Sequence, residues 1–212
     1  DLNRIWSIRK HRQTAREADV VVTNYHMLFV DALVREASDG EAGILPEYET
    51  LIMDECHKAP DIAREFFGFS LSAATVRRAL RGLKKSRYSN HAEHVVQAAQ
   101  QMFGWVRAEK EGIVSSPLIG DEVGDAWREC EPRIIEAQEN LKAWGYHAET
   151  QESERGIIVA EQCYRGAERL EKFRAQMLEA LELSNADHVY AIEHGTKSST
   201  LKAMPVNVGP LI

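Results

Sequence analysis

Two short aliphatic runs and a long amphipathic middle organise the hydrophobic pattern of this chain. Val20 to Val22 is β-branched and is followed by a polar turn at Thr23 and Asn24. A helix pattern then places Leu28, Phe29, Ala32, Leu33 and Ala37 on one side. Leu51, Ile52 and Met53 form the second run, too short for a helix and too apolar for a loop. Such runs suit strands covered on both faces of a parallel sheet. Strand, helix and strand predict a right-handed βαβ unit. Its return loop, Ser38 to Gly43 with Pro46 ahead of the second strand, has the residues that break helices and strands.

From Ala59 onward the period changes to that of helices. Short helices are predicted over Ala59–Phe67, with Pro60 in the first turn, and over Leu71–Ser86, with Val76, Leu80 and Leu83 as its apolar stripe. A third runs over His91–Glu111, burying Val95, Ala98, Ala99, Met102, Phe103 and Val106. After a loop containing Pro117 come Glu122–Trp144 and Gln151–Leu183, joined near Gly145, the former kinked or restarted at Pro132. Strand character returns at His188–Glu193 and more loosely at Leu201–Val208, where Pro205 marks an edge or end.

Chemistry concentrates where the second aliphatic run stops, in Asp54-Glu55-Cys56-His57. The carboxyl edge of an open α/β sheet is where ligands sit, and two adjacent carboxylates there can divide the work of a nucleotidase. Asp54 would hold Mg²⁺ through its water shell, while Glu55 would orient or deprotonate the attacking water. The pattern reads as a Walker B, or helicase motif II, of the DExH type. His57 has two readings: coupling nucleotide state to nucleic-acid binding, or simply capping the helix that begins at Ala59. Tyr25 and His26, at the head of the first helix, are candidates for the same cleft.

The segments ADVVVTNYHMLF (18–29) and LPEYETLIMDECH (45–57) together resemble the stretch leading into motif II of the XPD/DinG family of superfamily 2 DNA helicases. Cys56 departs from the alanine usual in that family. The resemblance implies a fold that is α/β plus mainly α: a partial RecA-like parallel sheet in residues 1–70, a large all-helical arch-like insertion over 71–185, and return strands to the motor domain over 186–212. It implies ATP and Mg²⁺ as cofactors of the complete protein, single-stranded DNA as its partner, and 5′-to-3′ movement. Family members often carry an iron-sulfur cluster whose last cysteine ligand shortly precedes the ADVVVTN strand. No cysteine precedes Ala18 here, so this chain should hold no cluster; either the ligands lie upstream of Asp1 or this branch lacks the cluster. The last strands are also similar to the family's passage just ahead of motif III.

No segment reads G-x-x-x-x-G-K-[S/T], and Gly195-Thr196-Lys197-Ser198 lacks both the upstream glycine and a feeding strand. The chain therefore reads as a fragment, contributing Walker B and the arch, and in isolation it should be inactive. Two alternatives stay open: a DECH-type translocase of the restriction or RNA-helicase kind, or a non-enzymatic helical interaction module.

Charge refines the partner. A net charge of −7 over 212 residues argues against a free-standing nucleic-acid binder. Residues 77–87 nevertheless hold Arg77, Arg78, Arg81, Lys84, Lys85 and Arg87 without a carboxylate, and Arg9, Lys10, Arg12 and Arg16 cluster upstream. Arg77, Arg81 and Lys84 share a helix face able to track phosphates, alternatively a solvated face. Together with Thr23 and Asn24 they are the nucleic-acid candidates, and the helical block offers a surface for a protein partner. Trp6, Trp105, Trp127 and Trp144 sit at core spacings, with Trp105 near a loop. The cysteines, Cys56, Cys130 and Cys163, form no C-x-x-C pair, so free thiols are expected, in a cytoplasmic or nuclear compartment. No apolar run approaches the roughly 20 residues of a membrane span.

Overall fold

The computed structural model describes residues 10, 13–151, 153–196 and 198–209. Trp6, Arg9, His11, Arg12 and Lys197, and the chain's last residues from Pro210, lie outside them. The chain divides into two compact units, one comprising 1–68 with 205–212 and the other Phe69–Met204.

The first unit is built on helix α1 (Tyr25–Ala37) and helix α2 (Ala59–Phe67). Leu28 and Phe29 of α1 meet Ala63 of α2 and Val208 in a small core, flanked by Tyr25, Ile62, Phe66 and Phe67. Phe29 stacks at 5.7 Å on Phe66 and 5.5 Å on Phe67. Asn24 caps α1 by accepting the Met27 N–H at 2.9 Å, satisfying one of the amides that a helix start leaves open.

A buried acid, Asp31, fixes the loop that follows. Its carboxylate accepts the backbone N–H groups of Ile44 at 2.6 Å and Leu45 at 2.8 Å, and Arg35 Nε at 2.8 Å. Arg35 donates onward to the carbonyls of Leu45 and Pro46. Burial alone would push the Asp31 carboxyl up, but these hydrogen bonds outweigh it and hold the group below its usual value.

The expected parallel strands are not formed. Val20–Val22 and Leu51–Met53 pair with nothing among the described residues, and Val20, Val22 and Ile52 are 78%, 92% and 88% exposed. The reason is physical: a strand apolar on both faces is stable only with neighbouring strands and helices over both faces. The described residues of this unit supply helices and turns but no partner strand.

The second unit is mainly helical but contains a sheet. Strand β1 (Phe69–Leu71) leads to α3 (Ala73–Ala79), which tightens into a 3-10 turn over Leu80–Leu83. Helix α4 (Ser89–Ala108), strand β2 (Gly112–Ile113), the long α5 (Glu122–Glu149) and α6 (Glu154–Glu182), and strands β3 (His188–His194) and β4 (Ser199–Pro205) follow. The four strands form an antiparallel sheet in the order β1-β4-β3-β2. Residues 71–185, expected to be all-helical, thus include strand β2 and the end of β1. β4 alternates buried and half-exposed residues along its whole length, as a strand with one covered face must.

Trp127, Ile134, Leu141, Leu170, Phe173 and Met177 centre the core between α5 and α6. Pro132 does not break α5, which continues past Gly145 to Glu149. Gly145 is a packing site rather than a turn: a Cβ there would lie 3.2 Å from Cys163 Cβ. Gly166 is tighter still, its missing Cβ falling 2.4 Å from the Ala79 carbonyl oxygen.

Candidate motif II site and basic groove

The end of the second aliphatic run turns sharply. Glu55 adopts φ 51° and ψ 40°, the left-handed region, and opens a 3-10 turn over Cys56–Lys58 that runs into α2. A residue with a Cβ pays about 1–2 kcal/mol for that conformation, and strain of this kind clusters at functional sites. The turn leaves Asp54, Glu55, Cys56 and His57 all exposed.

Local contacts tie the turn to α1. Tyr25 donates its hydroxyl to the Asp54 carbonyl at 2.6 Å, 29 residues away in sequence. Partial burial, followed by the charges of Cys56, Asp54 and Glu55, pushes the Tyr25 phenol up, so it stays a donor at neutral pH. Tyr25 therefore meets the motif, whereas His26 turns edge-on to Phe66 at 6.3 Å.

Glu55 Oε2 lies 3.3 Å from His57 Nδ1 and 3.7 Å from Lys58 Nζ. With side chains more than half exposed these pairs are weak, so Glu55 can swing to another partner at little cost. His57 does not cap α2, whose start at Lys58 has no side-chain cap. The Asp54 carboxylate has no hydrogen-bond or ion-pair partner among the described residues. A single exposed carboxylate with free oxygens suits Mg²⁺, which keeps several waters and takes its remaining ligands from phosphates. No group of three or more potential ligands occurs among the described residues.

Asn24 spends its side-chain oxygen on the α1 cap, and both it and Thr23 are exposed. In the second unit Arg77, Arg81 and Lys84 are exposed as expected, on α3, in the 3-10 turn and just after it rather than on one continuous helix. Arg81 and Lys84 line a groove of about 420 Å³ together with Lys85, Trp144 and Arg155; Arg77 is not part of it. Arg155, at the start of α6, escapes sequence reading because it lies 71 positions from Lys84. Among the tryptophans Trp127 is core, Trp144 half-buried and Trp105 half-exposed.

The remaining chemistry is structural. Cys56 is exposed, while Cys130 and Cys163 are buried, their thiols pushed up to about 11 by that burial. Such thiols are inert. No described helix is long and apolar enough to cross a membrane.

Comparison with known proteins decides the kinship. A stretch of 64 residues, 30% of this chain, is 47% identical to the ATP-dependent DNA helicase YoaA of Escherichia coli and covers 10% of it. The YoaA of Haemophilus influenzae is 45% identical over 62 residues, 29% of this chain and 9% of that protein. This chain is homologous in part to XPD/DinG-type helicases. The ATP-dependent helicase DinG of Mycobacterium tuberculosis matches at 35% identity over 74 residues, 35% of the chain and 10% of DinG. The matches thus span about a tenth of the length of these relatives. No family model matches the chain.

Proposed function

We propose that this chain is part of an ATP-dependent DNA helicase that translocates on single-stranded DNA, 5′-to-3′ by its resemblance, contributing Walker B and a helical arch-like insertion. The observation that carries the reading is the left-handed turn at Glu55, which follows an unpaired aliphatic run and presents two adjacent carboxylates to solvent. Partial homology to proteins named as ATP-dependent DNA helicases supports the same reaction. In the complete protein, Val20–Val22 and Leu51–Met53 become inner strands of a RecA-like parallel sheet whose other strands come from the rest of the polypeptide.

Magnesium bound with ATP would neutralise charge on the transferred phosphoryl group. Asp54 would hold that metal through its water shell. Glu55, released from its weak pairs with His57 and Lys58, orients the attacking water and accepts its proton. Tyr25 positions the turn by clamping the Asp54 carbonyl. His57, exposed and free of a capping role, transmits nucleotide state to the DNA-binding surface. Thr23, Asn24, Arg77, Arg81 and Lys84 contact the strand. The isolated chain, without phosphate-cradling amides and a P-loop lysine, neither binds ATP tightly nor hydrolyses it.

Steady-state ATPase assays on the complete helicase test these roles. Glu55→Gln should lower turnover by roughly 10²-fold or more with nucleotide affinity nearly intact, whereas Asp54→Asn should also weaken Mg²⁺-dependent binding. Equal, mild losses from both would make the turn structural. His57→Ala should leave basal turnover but remove its stimulation by single-stranded DNA; full stimulation in that variant contradicts the coupling role.

A further inference from the structure

We propose that the groove between the 3-10 turn and the α5–α6 connection is a binding site for nucleotide phosphate groups, with Arg155 and Lys85 completing a cation set that includes Arg81 and Lys84. The proposal rests on the reading of Arg81 and Lys84 as nucleic-acid contacts and extends it to a built site on a different helix. Its volume of about 420 Å³ falls in the range of small-ligand sites.

The electrostatics are what set this groove apart. Its four cations meet no Asp or Glu among the described lining residues, in a chain whose net charge is −7. None of the four has an ion-pair or hydrogen-bond partner among the described residues, whereas Arg35, Arg64, Arg128, Arg165 and Arg174 each engage a carboxylate. Arg155 also sits in the first turn of the 29-residue helix α6, where the helix dipole disfavours a cation. Folding gains nothing from gathering like charges at the positive end of a helix. An anion in the groove would attract each of the four cations and the positive helix end, offsetting these repulsions.

The walls are fixed by close packing. A Cβ at Gly82 would lie 2.8 Å from Cys163 Sγ, so the 3-10 turn sits directly on α6 and its cations are held at the groove. At Gly156 a Cβ would lie 2.4 Å from the Ala148 carbonyl oxygen, pinning the first turn of α6 against the end of α5. Ser153 accepts the Gly156 N–H at 3.0 Å and secures that turn. Half-buried Trp144 supplies an apolar wall, and Gln151 and Gln162 supply amides. A cationic groove with an aromatic wall is the arrangement that receives nucleotides without reading their sequence.

The phosphates could belong to a strand crossing the groove or to a free nucleotide, and binding by the purified 212-residue chain separates these sources. Fluorescence anisotropy with a labelled oligo(dT) would be measured across a salt series, with dTMP, inorganic pyrophosphate and poly-glutamate as competitors. Arg155→Glu and Lys85→Glu should each weaken oligonucleotide binding at least about tenfold, and the neutral Arg155→Gln should lower the log-log salt slope by about 0.7 per lost contact. Arg169→Glu, an exposed charge reversal on α6 outside the groove, serves as the control and should change little. Circular dichroism melts establish that each variant is folded. Tight oligonucleotide binding with weak competition by dTMP assigns the groove to a strand; competition by dTMP at similar concentration per phosphate assigns it to a free nucleotide.

Unchanged affinity in Arg155→Glu overturns the proposal, as does an equal loss in Arg169→Glu or competition by poly-glutamate as strong as that by oligo(dT). These outcomes leave the Glu55 turnover assays untouched, so failure of the groove and failure of the ATPase reading are distinguishable.

Discussion

The unit of residues 69–204 closes around its own core, whereas the unit carrying the Asp54–His57 turn leaves two aliphatic runs in water. Trp127 is 1% exposed between Phe173 and the α5–α6 seam, yet Ile52, one step from the carboxylates, is 88% exposed. Antiparallel helices and a hairpin sheet bury their apolar faces against sequence neighbours, so this block is complete in itself. A parallel strand needs partners distant in sequence. The candidate chemistry therefore sits on the part of the chain that is least self-sufficient, which is what the proposed motor-domain edge requires.

Truncating the core should show the contrast most strongly. Trp127→Ala removes the largest fully buried side chain among the described residues and should cost about 3–5 kcal/mol in urea unfolding of the helical block. A cost below about 1 kcal/mol would mean that this block is loosely packed.

Within the first unit the largest local effect belongs to Asp31. Asp31→Ala orphans the N–H groups of Ile44 and Leu45 and frees Arg35, and should cost about 1–3 kcal/mol. Because the folded Asp31 is held below its usual value, its contribution is present above about pH 4, the unfolded range, and is lost as pH falls through the depressed folded value. Melts of the parent chain and Asp31→Ala should converge at the acid end; a constant difference down to the lowest pH would exclude an ionised role. At the other extreme, Ile52→Ser should shift the isolated chain by no more than about 0.5 kcal/mol, the value for a surface change. The same substitution should be far more costly in the complete protein, where the run is proposed to be an inner strand.

These differences mirror what the sequence could disclose. Helical periodicity located α4, α5 and α6 to within a few residues, because each buries a continuous stripe against a neighbour. It placed the α5–α6 turn near Gly145 and suspected a break at Pro132, since a glycine needed for close helix contact looks the same in sequence as one needed for a turn. Strands β3 and β4 were legible at His188–Glu193 and Leu201–Val208, but their partners β1 and β2 were hidden for a related reason: Phe69–Leu71 and Gly112–Ile113 are too short to show alternation. At the candidate site, Asp54 and Glu55 were legible from the abrupt end of an aliphatic run. The Tyr25 hydrogen bond to the Asp54 carbonyl, the Asp31 clip and the convergence of Arg155 with Lys84 and Lys85 were not. Each depends on residues that only the fold brings together.

Amide hydrogen exchange on the 212-residue chain, read by NMR or by mass spectrometry of peptides, tests the contrast between the two units most directly. Amides of α5 and α6 should be protected to the level of global unfolding, while those of Val20–Val22 and Leu51–Met53 should exchange at nearly the unprotected rate. Strong protection of both aliphatic runs in the isolated chain would mean that they already pair as strands, and would contradict the account of motif II as an open edge completed elsewhere.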